Sequence, residues 1–76
     1  MSPRVKNVIP NRNYTLTITF SKNEVKTFDV KPYLEIGKFK ELKELNVFNS
    51  VKPFLGSIQW INELDFCPDT LYLESK

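Results

Sequence analysis

Residues 14–20 read Tyr-Thr-Leu-Thr-Ile-Thr-Phe, and no other segment restricts the fold of this chain so tightly. Apolar side chains at 14, 16, 18 and 20 alternate with threonines at 15, 17 and 19. Period two in β-branched and aromatic residues is the pattern of a strand with one face buried. The segment from Glu24 to Val30 is its natural neighbour, with Phe28 and Val30 on one face. A two-residue loop at Lys22-Asn23 sets Leu16 against Asp29. A three-residue loop, Ser21-Lys22-Asn23, sets Phe20 against Glu24, Leu16 against Phe28 and Tyr14 against Val30. Only the second joins the apolar faces. It also puts Asn23 at the last loop position, where the left-handed conformation is required and asparagine tolerates it.

The rest of the chain is read around this hairpin. Arg4 to Ile9 forms a strand ended by Pro10, with a bulge or an edge position implied by adjacent Val8 and Ile9. Lys31-Pro32-Tyr33-Leu34 turns away from the sheet. From Lys38 to Leu45 the period changes, with Phe39, Leu42 and Leu45 at intervals of three and Lys40 and Glu44 opposite. This predicts a short amphipathic helix between Gly37 and Asn46. Strands follow at Val51–Leu55 and Ser57–Ile61, the first shortened or at an edge because of Pro53. Pro68 and Asp69 start a terminal helix. The fold class is therefore α+β: one domain, residues 1–76, ordered β-β-β-α-β-β-α. A small, mostly antiparallel sheet of about five strands carries helices on one face. The expected core is Leu16, Ile18, Phe20, Phe28, Val30, Leu34, Phe39, Leu42, Phe48, Ile58, Trp60 and Leu71.

A chain of 76 residues buries only about 60–65% of its unfolded surface. Further burial against a second copy or another protein would stabilise it, so a homodimer or a protein partner is expected. The hydrophobic fraction of 41% suits a folded domain rather than a disordered one. The single cysteine, Cys67, excludes an internal disulfide and suggests the cytoplasm. No apolar run approaches the ~20 residues of a membrane helix. The net charge of +2 gives nucleic acid little support as a partner. The front of the chain is basic and the end acidic.

There is no histidine and no glycine-rich phosphate loop, so no catalytic residue, enzyme activity or cofactor is expected. Cys67 has no imidazole to activate it. The carboxylates Glu63, Asp65 and Asp69 form an acidic cluster, either a magnesium or calcium site or a structural brace; bracing is the reading taken. Trp60 alternates with Ile58 and belongs to the core or to an interface. Ile61, on the opposite side of the same strand, points to a second sheet face covered by a helix or another chain.

The ordered set Tyr14-x-Leu-x-Ile-x-Phe20, Phe28-Asp-Val30, Pro32-Tyr-Leu34, Phe39-x-x-Leu42, Phe48, Ile58-x-Trp60, Asn62, Leu64-Asp65 and Pro68-Asp-x-Leu-Tyr72 resembles the bacterial domain of unknown function 2442 family. The resemblance covers nearly the whole chain. It implies a small antiparallel sheet packed against helices and no established catalytic residues. Some relatives carry a helix-turn-helix domain after this module, an appendage not expected here. Others look like the antitoxin-like half of a two-gene pair beside a domain of unknown function 4160 protein. Family members commonly have glycine in the first hairpin, where this chain has Asn23, and after the asparagine, where it has Glu63. The turn at Glu63 is therefore expected to differ from the family's.

Overall fold

The computed structural model describes residues 3–76. Five strands form: β1 Val5–Pro10, β2 Thr15–Phe20, β3 Glu24–Asp29, β4 Lys52–Phe54 and β5 Ser57–Gln59. Two short α-helices, α1 Leu45–Phe48 and α2 Pro68–Glu74, and three 3₁₀ segments complete the described chain. The fold is α+β with antiparallel pairing throughout.

The central hairpin has the register that joins its apolar faces. Phe20 lies opposite Glu24 and Leu16 opposite Phe28, and the Val30 amide donates to the Tyr14 carbonyl at 3.0 Å. Ser21–Asn23 form the loop, and Asn23 takes φ 63° as its place in a three-residue loop requires. Lys22 is also left-handed, at φ 69°.

The strands divide into two sheets instead of one: β1-β2-β3 and β4-β5. The pairing of β1 shifts between Val5 and Asn7, the bulge anticipated from its broken alternation. That bulge and Pro10, which has no N–H, leave β1 little outer edge to extend. Its link to the second sheet is the Val5 amide donating to the Gly56 carbonyl at 3.0 Å.

The segment after Gly37 departs from the sequence reading. Residues Gly37–Lys43 form a 3₁₀ helix, Glu44 is extended, and α1 starts only at Leu45. Apolar spacing of three matches the three residues per turn of a 3₁₀ helix, so the pattern was right and the helix type wrong. Because no continuous helix joins Lys40 to Glu44, they are not paired. Lys43 binds Glu35 instead.

All the expected core residues are buried except Phe39, which is half-buried against the rest. Val5, Val8, Val51 and Phe66 join them. Phe66 is a ring hub, with centroids 4.9 Å from Phe28, 5.0 Å from Tyr33, 5.1 Å from Phe39 and 5.8 Å from Trp60. On the buried face α2 covers the hairpin, Tyr72 meeting Phe20 edge-on at 5.0 Å. The threonines of β2 point the other way.

Candidate interaction surface

Trp60 is not a surface residue. It is 1% exposed, and its indole N–H donates to the Phe48 carbonyl at 3.0 Å. Its neighbour Ile61 is 74% exposed, but it lies in a turn beyond β5 rather than on a strand face. That turn closes with the Trp60 amide donating to Leu64 and the Glu63 amide to Trp60, both at 2.9 Å. The Ile61 amide is held by Ser50 Oγ at 3.0 Å. Covering of a second sheet face is thus not what explains Ile61.

The three carboxylates have separate surroundings. Glu63 occupies the left-handed turn position, at φ 69°. Glu63 thus adopts a left-handed backbone, the conformation that glycine takes without a steric penalty. Asp65 bridges in backbone to Gln59, and Asp69 sits in the first turn of α2. No group of three histidine, cysteine, aspartate or glutamate side chains with metal-binding arrangement occurs among the described residues. The three acids therefore lie apart in the chain's local structure, Glu63 and Asp65 in turn and bridge positions and Asp69 at a helix start.

Left-handed backbone at a γ-carboxyl-bearing residue costs about 1–2 kcal/mol where glycine has no such penalty, offset in part by glycine's greater unfolded-state freedom. Glu63→Gly is therefore expected to raise Tm by about 2–6 °C in a domain of this size. Differential scanning calorimetry of the two proteins checks this.

Two tyrosines tie α2 and its surroundings to glutamates. The Tyr33 hydroxyl donates to Glu74, and the Tyr72 hydroxyl to Glu24 at 2.8 Å, with Lys26 Nζ 3.8 Å from the Tyr72 ring centre. The accepting carboxylates hold both phenols above the ordinary value of 10.0. A raised folded-state value means that this stabilisation is complete below pH 10.0 and is lost as pH rises through the folded value. Stability should fall above pH 10 more steeply in the natural protein than in a Tyr33→Phe, Tyr72→Phe double variant, measured by urea unfolding at stepped pH. At the acid end, the Lys31 backbone amide donates to Asp29 at 2.9 Å and holds its carboxyl below the usual range.

The most exposed large apolar side chain is one the sequence reading passed over. Leu55 and Gly56 join β4 to β5 with φ 50° and 85°, the two positive values of a type I′ turn. Asparagine-glycine is the favoured pair there, yet the first position holds a leucine that is 79% exposed. A leucine before a glycine between two short strands was the available signal. Beside it lies a groove of about 350 Å³ lined chiefly by Phe54, Leu55, Ile58, Phe66, Pro68 and Asp65. Ser57 and the exposed Cys67 complete the lining, and Ser57 Oγ donates to the Phe66 carbonyl at 2.6 Å.

Two further surfaces are open. A concavity of about 530 Å³ is lined by Pro10, Asn11, Arg12, Leu45 and Asn49. The outer edge of β3 presents exposed Val25, and the Lys76 amide binds the Thr27 carbonyl there at 2.8 Å. Both Val25 and the tip of the β4–β5 hairpin are apolar surface on a small fold.

From Val5 to Lys76 the chain matches the model of one family, described as protein of unknown function (DUF2442). The chain belongs to the DUF2442 family. The match includes the Leu55-Gly56 turn, the groove and α2. No curated protein matches the chain, and no solved structure does. No helix of the described residues is long and apolar enough to cross a membrane. DUF2442 membership brings no assigned activity.

Proposed function

We propose that this DUF2442 chain is a non-catalytic protein-interaction module with a regulatory role. The single observation that carries the reading is Leu55, which is left-handed and 79% exposed. The backbone strain weakens the fold, and the exposed side chain returns no burial to offset it. A strained position that holds an uncovered leucine, at the tip of a hairpin beside a groove that Phe54, Ile58, Phe66 and Pro68 help to line, is supported best as a contact for another protein. The resemblance to relatives that look like the antitoxin-like half of a two-gene pair supports a bacterial, cytoplasmic setting. A domain of unknown function 4160 protein is then the natural hetero-partner to test. Isolation of the tagged chain from its native cells, with identification of what is retained in stoichiometric amount, tests the reading. A protein retained by the natural chain and lost from Leu55→Asn is expected.

A nucleic-acid-associated regulator is the second reading. Arg4, Lys6 and Lys22 come to one end of the three-stranded sheet, through the Ser21 amide bonded to the Arg4 carbonyl and Lys6 Nζ bonded to Asn23. Among the described residues, none of the three is in an ion pair. DNA retention that falls steeply with salt would favour it.

A further inference from the structure

Leu55 and the groove beside it form a knob and a socket on one face. The groove is open to solvent and, at about 350 Å³, has the volume to admit a side chain of leucine's size. Its lining is mixed, with Phe54, Ile58, Phe66 and Pro68 beside Ser57, Asp65 and Cys67, and the Ser57–Phe66 hydrogen bond ties two of these residues together. Leu55 is itself one of the lining residues and, being largely exposed, does not fill the groove.

The charges flanking knob and socket are opposite. The Arg4 guanidinium lies over Gly56, next to the knob: a β-carbon added at Gly56 would sit 2.9 Å from Arg4 Cζ. Asp65 lines the socket. The ion pairs of the described residues are Lys26–Glu24, Lys31–Asp29 and Lys43–Glu35, so neither Arg4 nor Asp65 has an opposite charge to satisfy it there.

A surface with a knob beside a cation and a socket beside an anion complements itself under a two-fold axis. We propose that the chain forms a symmetric homodimer in which Leu55 of each copy enters the groove of the other, with Arg4 of one copy against Asp65 of its partner. This deepens the interaction-module reading, naming a second copy as the partner at that same surface. It also accounts for why a leucine occupies a turn position that favours asparagine. The left-handed strain is present in monomer and dimer alike, and in the dimer burial of the leucine side chain offsets it. The contact is a small one, below the roughly 800 Å² per partner of a standard stable interface, so the dimer dissociates readily on dilution.

Sedimentation velocity of the full chain from low to high micromolar concentration, with Leu55→Asn, Arg4→Glu, Asp65→Arg and the Arg4→Glu, Asp65→Arg double variant, tests this. The natural chain should shift from monomer to dimer. Leu55→Asn should lose the shift while its Tm rises by a few degrees (about 2–6 °C), because asparagine suits the turn. Each single charge reversal should weaken dimerisation at least ten-fold, and the double reversal should restore it. The Tm readout separates a lost contact from a lost fold. A natural chain that stays monomeric, a Leu55→Asn that still dimerises, or a double variant no better than the singles would overturn the proposal. If instead the natural chain is monomeric but retains a different protein through Leu55, the homodimer fails and the interaction-module reading stands.

Discussion

Replacing Trp60 by alanine is expected to leave the chain largely unfolded at room temperature. The side chain is fully enclosed, between the Phe48 ring at 6.4 Å and the Phe66 ring at 5.8 Å. Removing a buried aromatic of this size costs about 3–5 kcal/mol, because the surroundings collapse only partly into the space. The substitution also strips the Phe48 carbonyl of its indole donor, and a buried acceptor left unmet costs about 1–3 kcal/mol more. Stability of roughly 0.05–0.15 kcal/mol per residue gives a domain of 76 residues about 4–11 kcal/mol in all. The two losses together consume most or all of it. Far-ultraviolet circular dichroism during heating reads the result: no cooperative transition is expected. A cooperative melt within a few degrees of the natural protein would mean that Trp60 is not central to the core.

Phe66→Ala is the second large effect. Phe66 meets Phe28 on β3, Tyr33 and Phe39 on the connecting 3₁₀ turns, and Trp60 beyond β5. It therefore joins the two sheets and the segment leading into α2 through one ring. The expected loss is about 3–4 kcal/mol, read as a fall of about 1–3 M in the urea midpoint. Phe39→Ala, at a half-buried ring of the same chemical type, should fall distinctly less. Equal falls would show that the hub arrangement adds nothing to simple burial.

Those two residues also mark how far the sequence alone could be read. Trp60 was legible as a core candidate because it alternates with Ile58 in a strand pattern. Phe66 was not, since it stands between Asp65 and Cys67-Pro68, where no period runs and the flanking residues signal a turn and a helix start. The central hairpin was legible to the residue, because period two leaves one register that joins both apolar faces. The helix after Gly37 was legible in place but not in type: intervals of three fit a 3₁₀ helix, and an amphipathic α-helix was inferred from them. The division into two sheets depends on where β1 stops accepting a neighbour, which is a tertiary matter.

For the surface, the sequence pointed to Trp60 and Ile61 and to the acids at 63, 65 and 69. Of these, Asp65 and no other lines the groove at the hairpin tip. Phe54 and Leu55 read locally as part of a strand, so their exposure became visible only when β4 and β5 were paired and both turn residues were found left-handed. Leucine before glycine is a signal of conflict between local preference and fold, and such conflicts are where function is expected to leave its mark.

We propose, then, that this domain acts by association through the β4–β5 tip. Multi-angle light scattering of the complex isolated from native cells, run beside Leu55→Asn, tests it most directly. A natural chain eluting with a mass above that of one copy, composed of protein, and a Leu55→Asn chain eluting at the mass of one copy is the predicted result. Both proteins eluting as single copies with no other chain attached would contradict the account.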